Sequence, residues 1–234
     1  MTELDELKEQ IEDRCENYGV LSRLYRVEVD KELLQGLIES PVAEEIGNAN
    51  FDEGYALMRS FLDGVEDIDK GKSTLAIDYC LTFLGYGVDP EKADEAGMNA
   101  AYPYESIYTK KVKTLGGEHC AEVKAEYKAQ GFMPSKGRDR LASDHIACEL
   151  EYMQFLTSIE LASLDDKGPI NTEEARALQL SFIDEHLNNW IADFKDEVER
   201  HSETDFYRGL TQMTCGWIEH DRAHLVSLQE GDEN

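Results

Sequence analysis

The sequence predicts an all-α fold. Apolar residues recur at steps of three and four along most of the chain, and no segment keeps the two-residue alternation of a strand. The breaks between periodic stretches carry proline, glycine or capping residues. A chain of 234 residues suits one domain, a helical bundle of about nine to twelve helices spanning 1–234.

The elements follow in order. Leu4, Leu7, Ile11, Cys15, Tyr18 and Leu21 form the buried stripe of a first helix. Leu33, Leu34, Leu37 and Ile38 mark a short second helix, stopped near Pro41. A third covers 51–62, with Tyr55, Met58 and Phe61 inward. STLAIDYCLTFLG, 73–85, is apolar on nearly all sides, the pattern of a central helix, and Gly85 is its stop. Residues 85–115 are irregular, and a loop this long in a compact domain reads as functional. Helices resume at 117–130 and at 144–163, the latter inside the bundle beside 73–84.

DDKGPIN, 165–171, is linker-like, and Asn171 or Thr172 caps a long helix. Leu178, Phe182, Leu187, Trp190, Phe194 and Val198 run along its inner side to an end near His201. The last helix starts near Thr204 and buries Phe206, Tyr207, Leu210, Met213, Trp217 and Ile218. QEGDEN, 229–234, is expected to be a disordered tail.

A net charge of -27 disfavours nucleic acid and anionic membranes as partners and attracts basic ones. Five cysteines, none in a CxxC pair, argue against a disulfide framework and a zinc ribbon. With no leader pattern in MTELDELKEQIEDR and no apolar run near the roughly 20 residues of a membrane span, a cytoplasmic location is expected.

The chemistry concentrates in SDHIACELEYMQFL, 143–156. Asp144 suits the first turn of a helix, and His145 is either a satisfied core histidine or part of a site. Glu149 and Glu151 read as structural groups that support such a site. AYPYESIYTKK sets three tyrosines around Pro103, with Glu105 and Ser106 following. That is either a packed turn or groove material for a peptide, Glu105 being able to pair with arginine. His220 and His224 in HDRAH share a helix face, and His220-Asp221 raises the rival reading of a helical, metal-dependent HD-like hydrolase, with His145, His186 and His201 as further ligands. Asp221 is not the base a zincin needs, and the Glu-x-x-His pairs of ferritin-like sites are absent. P-loop, GxGxxG and nucleophile-elbow motifs are absent too. No metal or cofactor is predicted, and the protein is not expected to be an enzyme.

Taken together these motifs resemble the TorD/DmsD family of redox-enzyme maturation chaperones. Tyr79 and Phe83 before Leu84-Gly85 are similar to its aromatic-x-x-Leu-Phe motif, and Pro103-Tyr104-Glu105-Ser106-Ile107-Tyr108 to its Pro-Tyr-Glu-Ser loop. Asp144-His145 through Glu149-Leu150-Glu151-Tyr152-Met153 resembles its Asp-His helix start. His186-Leu187 with Trp190, and Phe206-Tyr207-Arg208, resemble its C-terminal helices. Thr82, Tyr102 and Leu141-Ala142-Ser143 depart from the pattern.

The resemblance implies a TorD-like bundle that binds the twin-arginine signal peptide, or the body, of a molybdopterin oxidoreductase precursor. It holds the precursor for cofactor insertion before export. It also implies a groove lined by Tyr79, Phe83, Pro103, Tyr104, Glu105, Asp144 and His145, to which the residues themselves add Leu84 as apolar wall and Tyr102 as a further aromatic. Ser106, Glu149 and Glu151 support them from behind. A client subunit without a twin-arginine signal is the alternative, and a homodimer formed by exchange of helices stays open.

Overall fold

A computed structural model describes residues 2–87, 98–109, 116–135, 141–165 and 167–232. Among them are ten α-helices and no strand ladder. The helices are α1 (Glu3–Arg26), α2 (Lys31–Glu39), α3 (Ala49–Asp63), α4 (Ile68–Leu84), α5 (Glu105–Tyr108), α6 (Glu118–Ala129), α7 (Ile146–Ser163), α8 (Thr172–Glu185), α9 (Ile191–His201) and α10 (Asp205–Asp232). The architecture is an all-α single-domain bundle.

Local chemistry starts most of these helices. Thr2 and Asp5 form a capping box on α1, and Asn171 and Glu174 form one on α8. Asp30, Asn48 and Asp67 accept backbone N–H groups at the starts of α2, α3 and α4. Gly85 ends α4 with φ at 65°, a left-handed conformation that glycine adopts without strain.

The core is layered. α7 lies between α1 and α8 and buries Ile146, Leu150, Met153 and Leu156 completely. α10 lies along α3 so closely that a Cβ added at Gly209 would meet the backbone of Gly54 and Met58. Any side chain there would force the two helices apart.

Two charged networks tie the layers together. Buried Arg14 donates to Asp221 (2.5 Å), Glu160 (2.8 Å) and Gln179 (2.5 Å), and Arg176 donates to Glu160 (2.7 Å). Residues of α1, α7, α8 and α10 thereby meet at one point. Burial works against the Arg14 cation, but Asp221 and Glu160 more than offset it and hold it firmly charged. The second centre is Asp78, the lone acid of the α4 core segment. It accepts from Thr82, Ser202 and Thr204 hydroxyls and from the backbone N–H groups of Glu203 and Thr204. Asp78 therefore fixes the entry into α10 from across the bundle.

The structure departs from the sequence expectations in three elements. The central helix starts at Ile68, one turn before 73, because Asp67 caps it. The long helix expected over 172–201 is broken. α8 stops at Glu185, His186 leaves helical geometry (φ -121°, ψ -77°), and a 3-10 turn at Leu187–Asn189 leads into α9. The break turns the His186 ring onto Glu105 and Glu126 while Leu187 and Trp190 stay buried. α10 runs on to Asp232, into the stretch expected to be a disordered tail. Of the loop expected over 85–115, residues 88–97 and 110–115 lie outside the described residues; the rest contains the single turn α5.

Candidate functional site

The Pro-Tyr-Glu-Ser loop and the Asp-His helix start are one structural unit. Tyr104 and His145 form an isolated antiparallel bridge. Its hydrogen bonds run from Glu105 N to Asp144 O (2.9 Å) and from Ile146 N to Pro103 O (3.0 Å). Asp144 Oδ2 accepts from the backbone N–H of Ser106, at the start of α5. Ala101 N donates to Thr82 O (2.7 Å), which ties the same loop to the end of α4.

His145 is the N-cap of α7. Its Nδ1 accepts from Ala147 N (3.0 Å), so its proton sits on Nε2, and its ring meets Tyr104 edge-on at 4.8 Å. Burial, reinforced by nearby Arg26, lowers its pKa to about 3, and the imidazole is neutral. The sign for stability follows. An unfolded chain protonates this histidine below the ordinary 6.5, whereas the folded chain stays neutral until about 3. The His145 contribution is full above 6.5 and lost as pH falls towards 3. His145→Asn keeps a cap acceptor and is expected to flatten the acid limb of a stability–pH curve by up to about 1.4 kcal/mol per pH unit. Denaturant melts between pH 4 and 7 check it; an unchanged limb contradicts the assignment.

Beneath the bridge lies a concentration of buried acid. Glu105, Asp144 and Glu149 are all fully buried. His186 is the imidazolium that answers them, donating to Glu105 Oε2 (3.1 Å) and to Glu126 Oε1 (2.9 Å). Burial opposes its charge, but the bonds to Glu105 and Glu126 prevail and raise its pKa to about 10. Glu149 takes a bond from Trp190 Nε1 (3.2 Å); burial, then the neighbouring Glu105, push its carboxyl well up, towards the neutral acid. Among the described residues, Asp144 Oδ1 and Glu149 Oε1 have no nitrogen or oxygen hydrogen-bond partner; the Cys120 thiol is the group beside the Asp144 carboxylate. Glu151 stands apart, on Arg26 (2.6 Å) and the Ser135 backbone.

The residues expected to line a groove thus divide. Tyr79 and Phe83 lie in the core: Tyr79 donates to Tyr25 O (2.9 Å), and Phe83 meets Tyr25, Tyr79, Phe194 and Tyr207. Pro103, Glu105, Ser106, Asp144, His145 and Glu149 are buried as well. Their shared reason is the bridge, which folds the loop down over the start of α7. Leu84 is exposed, and Tyr102 and Tyr104 are half-buried. Of the outer face of α4, sequence reasoning named only Leu84. Ile77 (60% exposed), Leu81 and Leu84 (38%) follow one another at steps of four and three, and Tyr86 (69%) comes next. The signal was present in the all-round apolarity of 73–85, a pattern that leaves some apolar residues outside any core.

The histidines of the hydrolase reading do not assemble. Asp221 is held by Arg14 and by Tyr18 (2.7 Å), and the His220 ring stacks on Trp217. Among the described residues no group of three or more histidine, cysteine, aspartate or glutamate side chains is arranged to hold a metal ion.

The sequence model of the family described as nitrate reductase delta subunit matches residues 48–196. The chain belongs to this family. Within the family, the relatives are of the TorD kind. The chain is 27% identical to the chaperone protein TorD of Vibrio vulnificus (strain CMCP6) over 227 residues, covering 95% of this chain and 99% of that one. It is 26% identical to the TorD of Shewanella sp. (strain ANA-3), covering 89% and 91%. It is 25% identical to the TorD of Aliivibrio salmonicida (strain LFI1238), covering 97% and 99%. The family match takes in α3 to α8, with the bridge, the buried acids and the exposed face of α4. The chain is a TorD-like member of this family, and the relatives are named as chaperones. No described helix is long and apolar enough to cross a membrane.

Proposed function

We propose that this chaperone binds the signal segment of a molybdopterin oxidoreductase precursor, two adjacent arginines followed by an apolar stretch, and holds the precursor in the cytoplasm until its cofactor is inserted. The observation that carries this reading is the excess of buried acid. Three fully buried carboxyl groups, Glu105, Asp144 and Glu149, lie together; of these only Glu105 bonds the His186 imidazolium, and one oxygen each of Asp144 and Glu149 has no nitrogen or oxygen hydrogen-bond partner among the described residues. Buried acceptors without a full set of partners are costly; a guanidinium from a client would satisfy Asp144 and, by its charge, favour the ionised form of Glu149. The exposed Ile77, Leu84 and Tyr86 and the half-buried Leu81, with Tyr102 beside Gly85, offer the apolar stretch a surface close to that end of the site.

Reaching the acids requires the Tyr104–His145 bridge to part. It has two backbone hydrogen bonds, and opening it costs about 2 kcal/mol at typical net values. A few charge-assisted bonds at roughly 1.5–3 kcal/mol each, with apolar burial, exceed that cost and give about micromolar affinity. Such binding is reversible, as release to export demands, and the net charge of -27 speeds encounter with a basic segment.

Titration of a synthetic twin-arginine signal peptide tests this. Leu84→Gln, at an exposed position, is expected to weaken binding about tenfold, roughly 1.4 kcal/mol, with little shift of the melting midpoint. Unchanged affinity would remove the α4 face from the site.

A further inference from the structure

We propose that a cavity between the middle of α1 and the middle of α10 receives the guanidinium of an arginine side chain presented by a polypeptide. The cavity has a volume of about 380 Å³ and shares no residue with the site under the Tyr104–His145 bridge. Its floor is the Arg14–Asp221 pair. That floor is internally balanced: Arg14 and Arg176 face Asp221 and Glu160, two charges of each sign. The rim adds Asp13, with Gln10 and Asn17 as further side-chain acceptors. Exposed Glu9, Glu12 and Glu16 follow along the same helix, and Glu44 and Glu45 precede Ile46 on the opposite wall. Burial, then Arg14, lower the pKa of His224, so that ring brings no positive charge.

The field at the mouth therefore repels anions and draws cations. Shape selects among cations. The half-buried His220 ring lies stacked on Trp217 (centroids 6.0 Å apart, planes 25° apart) and offers a flat wall backed by an indole. A planar guanidinium stacks on such a wall while its several N–H groups reach carboxylate and amide oxygens at different heights. A lysine ammonium is a strongly hydrated point charge and gains little from a flat wall.

The two tryptophans, Trp190 and Trp217, make a test. Their indole N–H signals are followed by NMR while N-acetyl-arginine amide is added to the whole protein. The expected result is a saturable shift of the Trp217 signal with a dissociation constant of about 1 mM, weakened at least threefold by Asp13→Asn. Asp13 is exposed, so that variant keeps the fold. An unmoved Trp217 signal, or one moved equally by the uncharged N-acetyl-citrulline amide, overturns the proposal. A shift of Trp190 alone also overturns it, because the cation has then gone to the acids around Glu149.

Discussion

Replacing Arg14 by methionine lowers the stability of the fold by about 3–5 kcal/mol. The change keeps the bulk of the side chain and removes its charge. Asp221 loses two bonds from Arg14 and keeps only the Tyr18 hydroxyl, while Glu160 keeps only Arg176 and Gln179. Both acids stay almost fully buried. The loss is a large part of the roughly 5–15 kcal/mol that holds an ordinary domain folded. Urea unfolding followed by helicity measures it. Adding Asp221→Asn to the variant recovers part of the loss, because one stranded charge is then removed. A midpoint unmoved by Arg14→Met contradicts the network's role.

His186→Ala is the second large effect, again about 3–5 kcal/mol at neutral pH, because fully buried Glu105 loses the nearer of its two imidazole partners, His119 standing at 3.9 Å. It also changes the alkaline limb. In the folded chain His186 keeps its proton to about 10, whereas the unfolded chain releases it near the ordinary 6.5. The His186 contribution is therefore full below 6.5 and lost as pH rises through 10, with a slope of at most about 1.4 kcal/mol per pH unit. Glu149, pushed up by burial and by Glu105, adds a fall of the same sign from a lower starting pH. The wild type should lose stability between pH 7 and 10, and the variant should show a flatter line from a lower start. Parallel curves would contradict the pairing.

Much of this molecule is legible in its sequence because helices announce themselves locally. The stripe from Ile11 to Leu21 and the caps at Asn171 and Gly85 depend on neighbours within one or two turns. The pairing of Pro-Tyr-Glu-Ser with Asp-His becomes visible only in three dimensions, where a bridge joins Tyr104 to His145. The break at His186 is hidden from periodicity, since Leu187, Trp190 and Phe194 continue a helical rhythm through it. What stops the helix is the pull of Glu105 and Glu126, far away in the chain. Asp78 is hidden for the same reason, its partners lying at 202–204. Tyr79 and Phe83 show a further limit: spacing cannot separate an aromatic that lines a groove from one that fills a core, and here both fill the core.

The central claim, that the acids under the bridge receive the paired arginines of a client signal, is tested most directly by calorimetric titration. A synthetic signal peptide carrying two arginines is compared with one carrying two glutamines, each against the wild type and Asp144→Ala. The expected result is about micromolar binding that falls at least tenfold when either the arginines or Asp144 is replaced, with little further loss when both are. Equal affinity for the two peptides would contradict the claim and point to a client recognised without its arginines.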